Sequence, residues 1–102
     1  MQIQIQVLLR RDGDWWVARG LNKDVAAQAR DINDAVYEFQ RVLMSHIALD
    51  LIQGRDPLED VPPAPRKYFA MWESGLSAVR QPPSFTIPET PLPPVQYDLR
   101  VA

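Results

Sequence analysis

The stretch of sequence that decides the fold is residues 31–54, which read DINDAVYEFQRVLMSHIALDLIQG. Apolar side chains recur in this stretch at steps of four, three, four and four residues, the spacing that lines one face of an α-helix. A helix of this kind has to bury its apolar face against another element, and a small β-sheet can provide that surface. The stripe consists of Ile32, Val36, Phe39, Leu43 and Ile47, and it is widened by Ala35, Val42 and Leu51.

The residues at both ends of the stretch mark where the helix begins and ends. Asp31 precedes the stripe, and an aspartate in that position can accept hydrogen bonds from the first free N–H groups of a helix. Asp34 adds negative charge where the helix dipole favours it. Gly54 is suited to the left-handed residue that follows a helix, and Pro57 prevents the helix from resuming. These signals predict a helix over residues 32–53.

Upstream of the helix, residues 2–9 alternate polar and apolar side chains, as a half-buried β-strand does. The Asp12-Gly13 dipeptide that follows is typical of a hairpin turn, so 14–20 is predicted as the returning strand. Further strands are predicted over 24–29 and, from the alternating tail, over 94–101. The expected fold class is therefore α+β, with a three- to four-stranded, mostly antiparallel sheet and one long helix packed across it, in the order β-β-β-α-…-β.

All ten prolines lie at or after Pro57, which divides the chain into a regular first half and a proline-rich second half. We expect a single domain over residues 1–102, made of a βββα core over 1–54 and a proline-rich arm over 55–102. Within the arm we predict a short aromatic helix near 66–74, a short strand near 84–87 and the terminal strand. The sequence leaves open whether the arm packs on its own domain or on a neighbouring subunit.

Composition excludes several classes of function. The chain has 102 residues, 46% of them hydrophobic, a net charge of −2 and no cysteine. Thiol catalysis and thiolate metal sites are therefore excluded, and the lack of a basic excess disfavours direct nucleic-acid binding. The amino-terminal residues lack the pattern of a signal peptide, and no apolar run is long enough to span a membrane. The expectation is a cytoplasmic protein that does not bind membranes.

His46 and Asp50 are the best candidates for chemistry, because they lie four residues apart on the predicted helix. A histidine–carboxylate pair can act as a general base with its orienting group. That would make the chain a weak enzyme or small-ligand binder, with a pocket near Trp72. The neighbouring Ser45 does not face His46 on a helix. We therefore interpret His46 as a residue at the edge of the core that bonds to Asp50, and predict no catalytic residue.

The acidic residues do not form a convincing metal site. Asp12 belongs to the hairpin turn and Asp31 caps the helix, which leaves Asp14 and Asp24 without further ligands of matching spacing. The acidic loop of Asp56, Glu59 and Asp60 lacks the glycine-centred spacing of a calcium loop. No phosphate-binding loop, dinucleotide fingerprint or zinc spacing occurs. We predict no metal and no cofactor.

Trp15 and Trp16 are neighbours on a predicted strand, so their side chains should lie on opposite faces of the sheet. One indole should pack under the helix, and the other should face outward, to be covered by the arm or by another subunit. The nearby Arg10, Arg11 and Arg19 are balanced by aspartates, which makes base stacking the less favoured use of the outer indole. The candidate interface residues are Trp15, Trp16, Tyr68, Trp72 and Tyr97.

Residues 3–65 resemble the HicB-like antitoxin domain, which has a truncated RNase H-like fold. The resemblance rests on the hairpin 11–18 with its Asp-Gly turn and aromatic return strand, on Asp34-Ala35 near the start of the helix, and on the Gly-to-Pro exit over 51–63. It implies that the last strand lies beside the first. The segment 21–30 differs from the glycine-rich, threonine-containing segment that leads into the helix in that family. The arm does not show the DNA-binding motif that full-length antitoxins usually add.

These observations favour a non-enzymatic module that binds a small, toxin-like protein partner and forms a homodimer or higher homo-oligomer. The homodimer is expected because exposed sheet edges invite pairing and small oligomers are mostly twofold. The alternative is a structural protein whose oligomerisation is itself the function. The enzyme around His46 and Asp50 is a third alternative.

Overall fold

The structure is a computed structural model that describes residues 2–77 and 92–102. Its order of elements confirms the α+β class, with the long helix packed across the sheet. The predicted strand near 84–87 lies outside the described residues. The elements are β1 (Ile3–Asp12), β2 (Trp15–Gly20), β3 (Ala26–Ala29), α1 (Ile32–Ile52), α2 (Arg66–Glu73), β4 (Leu76–Ser77) and β5 (Val95–Val101).

Within the described residues the sheet has five strands, in the order β3-β2-β1-β5-β4. β1 and β2 form the predicted hairpin, in which Asp12 pairs with Trp15 and Gly13 adopts a φ of 61°. β5 lies beside β1 and runs parallel to it, from Ile3 opposite Val95 to Leu9 opposite Val101. The sequence predicted three to four strands, and the additional one is β4, which pairs with β5 over two residues only.

α1 confirms the predicted boundaries to within one residue. The Asp31 side chain accepts hydrogen bonds from the N–H groups of Asn33 and Asp34, and Gly54 has the left-handed φ of 72°. The apolar stripe of α1 packs on one face of the sheet, which we call the helix face, and most of the hydrophobic core lies between them. This cluster includes Ile5, Val7, Leu9, Ala18, Phe39, Leu43, Ile47 and Leu99.

The opposite face of the sheet, the outer face, is covered in part by α2. A second apolar cluster forms there, made of Leu8, Leu21, Ala64, Tyr68 and Trp72. Val7, Leu8 and Leu9 are all buried because β1 is a central strand with packing on both faces. The proline-rich segment before α2 is hydrogen-bonded to the same domain, since Ala64 N–H donates to the Leu21 carbonyl and Asp24 N–H to the Pro62 carbonyl.

Neither of the two helices described has both the length and the apolar content that crossing a bilayer requires.

Candidate functional site

His46 and Asp50 come together as predicted, and the contact is part of a larger set around the carboxylate. His46 Nε2 lies 3.5 Å from Asp50 Oδ2, with the histidine side chain 41% exposed and the aspartate 5% exposed. The same Oδ2 accepts a hydrogen bond of 2.8 Å from the Leu58 N–H, and Arg55 Nη2 lies 3.6 Å from Oδ1. Ser45 donates its hydroxyl to the Arg41 carbonyl. Asp50 therefore has three neighbours, and its hydrogen bond holds the chain that follows α1.

The aspartates considered as metal ligands are used in other ways. Asp24 forms an ion pair with Arg19 at 2.9 Å, and Asp31 caps α1. The exposed Asp12 carboxylate lies 3.8 Å from the Arg10 guanidinium. Within residues 2–77 and 92–102, no group of three or more potential metal ligands comes together.

Trp15 and Trp16 lie on opposite faces of the sheet, as strand geometry predicts. Trp16 packs against the core cluster under α1. Trp15 lies on the outer face and is 38% exposed. The Arg30 guanidinium stacks over its ring at 4.5 Å from the centroid, so one face of the exposed indole is occupied by a cation of the same chain.

Tyr68 and Trp72 are buried within the chain, in the second apolar cluster. Arginines from the sheet stack against both rings: Arg19 lies 4.2 Å from the Tyr68 centroid and Arg100 lies 4.4 Å from the Trp72 centroid. Sequence reasoning missed this layer of arginines and aromatics. The available signal was the position of Arg19 and Arg100 on strands, with side chains on the face opposite α1.

Tyr97 is the fifth candidate interface residue, and it packs at the margin of the core under α1. Its hydroxyl is buried and has no hydrogen-bond partner among the described residues. Burial raises the pKa of Tyr97 to about 12, because the charged phenolate is disfavoured away from water.

The last turns of α1 carry exposed apolar side chains that sequence reasoning did not single out. Leu49 is 51% exposed, Leu51 37% and Ile52 74%. Leu51 was expected to widen the buried stripe, and that expectation is wrong, because the last α1 residue in the core cluster is Ile47, one turn earlier. The exposure of Leu49 and Ile52 could have been predicted from the sequence, because neither residue belongs to the apolar stripe and both fall on the mainly polar side of the helix.

A polar groove of about 550 Å³ lies where the amino-terminal halves of β1 and β5 run side by side. The Asn22 side chain borders it, and its amide bonds to the Gln4 carbonyl and the Gln6 N–H. The lining includes neither His46 nor Trp72, so the groove is separate from the site considered for catalysis. Its polar side chains are Gln4, Gln6, Asn22, Gln96 and Asp98.

Comparisons of the chain with protein-family models, with curated proteins and with solved structures find no match.

Proposed function

We propose that this chain is a non-enzymatic protein-binding module whose partner docks on the exposed apolar end of α1. The observation that carries the proposal is the pair Leu49 and Ile52, which lie three residues apart on one side of α1 and are 51% and 74% exposed, while Leu51, on another side of the same turn, is 37% exposed. Single exposed apolar side chains are common, but grouped ones are typical of interaction surfaces. The other exposed positions of α1 carry mainly polar side chains, among them Asn33, Arg41 and Ser45.

The charges beside this apolar end indicate the chemistry of the partner. The chain that follows α1 carries Asp56, Glu59 and Asp60 at exposed positions. Arg55 pairs with Asp60 at 3.1 Å, so this segment keeps a negative balance, and the net charge of the chain is −2. Electrostatic complementarity then favours a small protein with an apolar patch bordered by basic residues. The encounter would take place in the cytoplasm, a reducing compartment with which a chain lacking cysteine is compatible.

The proposal extends to the antitoxin type of function. The order of the hairpin, the third strand, the long helix and the proline-rich exit supports a stand-alone relative of the HicB-like antitoxin domain, which sequesters a small toxin-like protein. Co-expression with the product of a neighbouring short basic reading frame tests this part. Rescue of growth by the wild-type chain supports it, and toxicity that the chain leaves unchanged contradicts it.

Capture experiments test the docking surface. The tagged wild-type chain is compared with Ile52→Glu and with the control Ser45→Glu, which adds the same charge at an exposed position of the same helix. We expect a specific protein that binds the wild type and Ser45→Glu but not Ile52→Glu, and whose purified form binds directly by calorimetry. Equal capture by all three chains, or no direct binding, would contradict the proposal.

The second candidate function is assembly, in which the chain forms a homo-oligomer as its role. The observation that favours it is the edge of β3, which ends the sheet among the described residues and carries uncharged side chains, three of them alanine. Light scattering at micromolar concentration tests it, with a twofold mass expected. A strict monomer would contradict it.

A further inference from the structure

The backbone groups of β3 alternate in direction, and the hydrogen bonds of the structure show which of them face outward. Gly20 N–H donates to the Val25 carbonyl at 2.8 Å, which makes Val25 and Gly20 a hydrogen-bonded pair of the β2–β3 ladder. Because such pairs alternate along antiparallel strands, Ala27 and Ala29 also bond toward β2. The N–H and carbonyl groups of Ala26 and Gln28 therefore point away from the sheet. Among the described residues, these groups have no partner.

The proline-rich segment closes this edge at one end. Asp24 has the same outward direction as Ala26, and its N–H already donates to the Pro62 carbonyl at 2.8 Å. The open part of the edge therefore begins at Ala26 and continues to Arg30, where the chain turns into the cap of α1. Its side chains include no proline and no lysine, the residues that commonly protect an edge strand from pairing.

We infer that β3 pairs with β3 of a second copy of this chain, antiparallel and with Gln28 opposite the partner's Gln28. For two copies of β3 to bond, residues whose backbone N–H and carbonyl groups point outward must lie opposite each other. The two strands can therefore shift against each other only by two residues at a time. Only the register centred on Gln28 pairs the whole open segment, with Ala26 opposite the partner's Arg30. A register centred on Ala27 would need the Asp24 N–H that Pro62 already occupies.

The twofold axis of this arrangement is perpendicular to the sheet, so two five-stranded sheets join into one continuous sheet. α1 packs mainly on β3 and β2. Because the axis is perpendicular to the sheet, it places both copies of α1 on the same face, on either side of the junction. The outer face brings a charge complement. In this register Arg30 lies opposite the partner's Ala26 and therefore diagonally across from the partner's Asp24. Asp24 also forms an ion pair with Arg19 of its own chain.

This inference rests on the assembly function given above as the second candidate, and it names the surface and the register. Gln28→Pro tests the surface. Proline removes the outward N–H at the centre of the edge, and it is tolerated in edge strands whose N–H faces solvent. We expect a folded monomer by circular dichroism and light scattering, while the control Gln28→Ala, which keeps the N–H, remains dimeric.

Charges at Gln28 test the register and do not require the proline variant to fold. Gln28→Lys and Gln28→Glu each place like charges directly opposite on the axis, which should weaken the homodimer about fivefold. An equal mixture, with one variant labelled with ¹⁵N, should give a heterodimer above its statistical share by native mass spectrometry. A statistical share would overturn the register. A wild-type dimer that Gln28→Pro leaves intact overturns the surface but not assembly, and a wild-type chain that is a strict monomer at micromolar concentration by light scattering overturns both.

Discussion

The carboxylate of Asp50 accepts a hydrogen bond of 2.8 Å from the backbone N–H of Leu58, eight residues further along the chain. This bond connects the end of α1 to the point where the proline-rich segment returns to the core. Leu58 has a φ of 62°, the only positive φ of a non-glycine residue among those described, and its side chain is fully buried. The bond to Asp50 therefore stabilises a backbone conformation that a leucine rarely adopts.

Asp50→Ala should destabilise the fold by about 2–3 kcal/mol, the upper part of the range for leaving a buried donor without its acceptor. The Leu58 N–H would lose its acceptor in a buried position, and an unsatisfied buried donor costs about 1–3 kcal/mol. Arg55 would lose a neighbouring charge as well. Urea unfolding followed by circular dichroism measures the free energy. Asp56→Ala removes an exposed carboxylate from the same loop and should change it by less than about 0.5 kcal/mol.

His46→Gln measures how much of the stabilisation around Asp50 comes from His46. The His46 side chain is 41% exposed and its Nε2 lies 3.5 Å from Asp50 Oδ2. Because solvent screens the histidine, we expect this contact to contribute about 0.3–0.5 kcal/mol, as pairs four residues apart on a helix do. We expect a loss within that range by the same urea measurement. A loss comparable to that of Asp50→Ala would contradict the view that Asp50 acts mainly on Leu58.

Asp31→Ala should cost about 1 kcal/mol, because the Asp31 carboxylate is the acceptor for the Asn33 N–H at 2.8 Å and an alanine cannot cap a helix. Thermal unfolding measures the effect. Asp31→Ser keeps an acceptor in the same place and should retain most of the stability. Equal losses for the two variants would show that the cap contributes little.

Most of the first half of the fold could be predicted from the sequence, because its signals are local. The cap at Asp31, the left-handed Gly54 and the Asp12-Gly13 turn each depend on residues that are close in the chain. β4 could not be predicted, since two residues, Leu76 and Ser77, are too few to show an alternation. The position of β5 beside β1 followed from the family resemblance and not from any local pattern.

The surface features were predicted less well, because burial depends on what lies across from a residue. Leu51 continues the apolar stripe of α1, but it lies one turn beyond Ile47, the last α1 residue of the core cluster. Arg19 and Arg100 belong to a polar residue type, although their stems and guanidinium groups pack under Tyr68 and Trp72. Only Leu8 indicated this second layer in the sequence, since it is apolar on the face of β1 where Gln4 and Gln6 are polar.

Arg19 and Tyr68 should couple measurably. The guanidinium lies 4.2 Å from the ring centroid and donates to the tyrosine hydroxyl at 3.3 Å, in a partly buried setting where a cation–π contact contributes about 0.5–2 kcal/mol. A double-mutant cycle with Arg19→Met and Tyr68→Leu should give a coupling energy in that range by urea unfolding. Arg41→Met with Tyr68→Leu is the matched control, and a coupling no larger than in that control would contradict the contact.

Tyr97 should make the stability depend on pH in the alkaline range. Its pKa is raised from 10.0 to about 12 in the folded chain, so between these values the unfolded chain binds fewer protons than the folded one. The contribution of Tyr97 to the free energy of unfolding should therefore be constant below pH 10 and fall as the pH rises from 10 to about 12.

Tyr97→Phe should remove that part of the decline. It should also leave the stability at pH 7 unchanged or higher, because the hydroxyl has no partner among the described residues. Urea titrations of both chains at several pH values measure the difference, and parallel declines would show that Tyr97 ionises as freely in the folded chain as in the unfolded one.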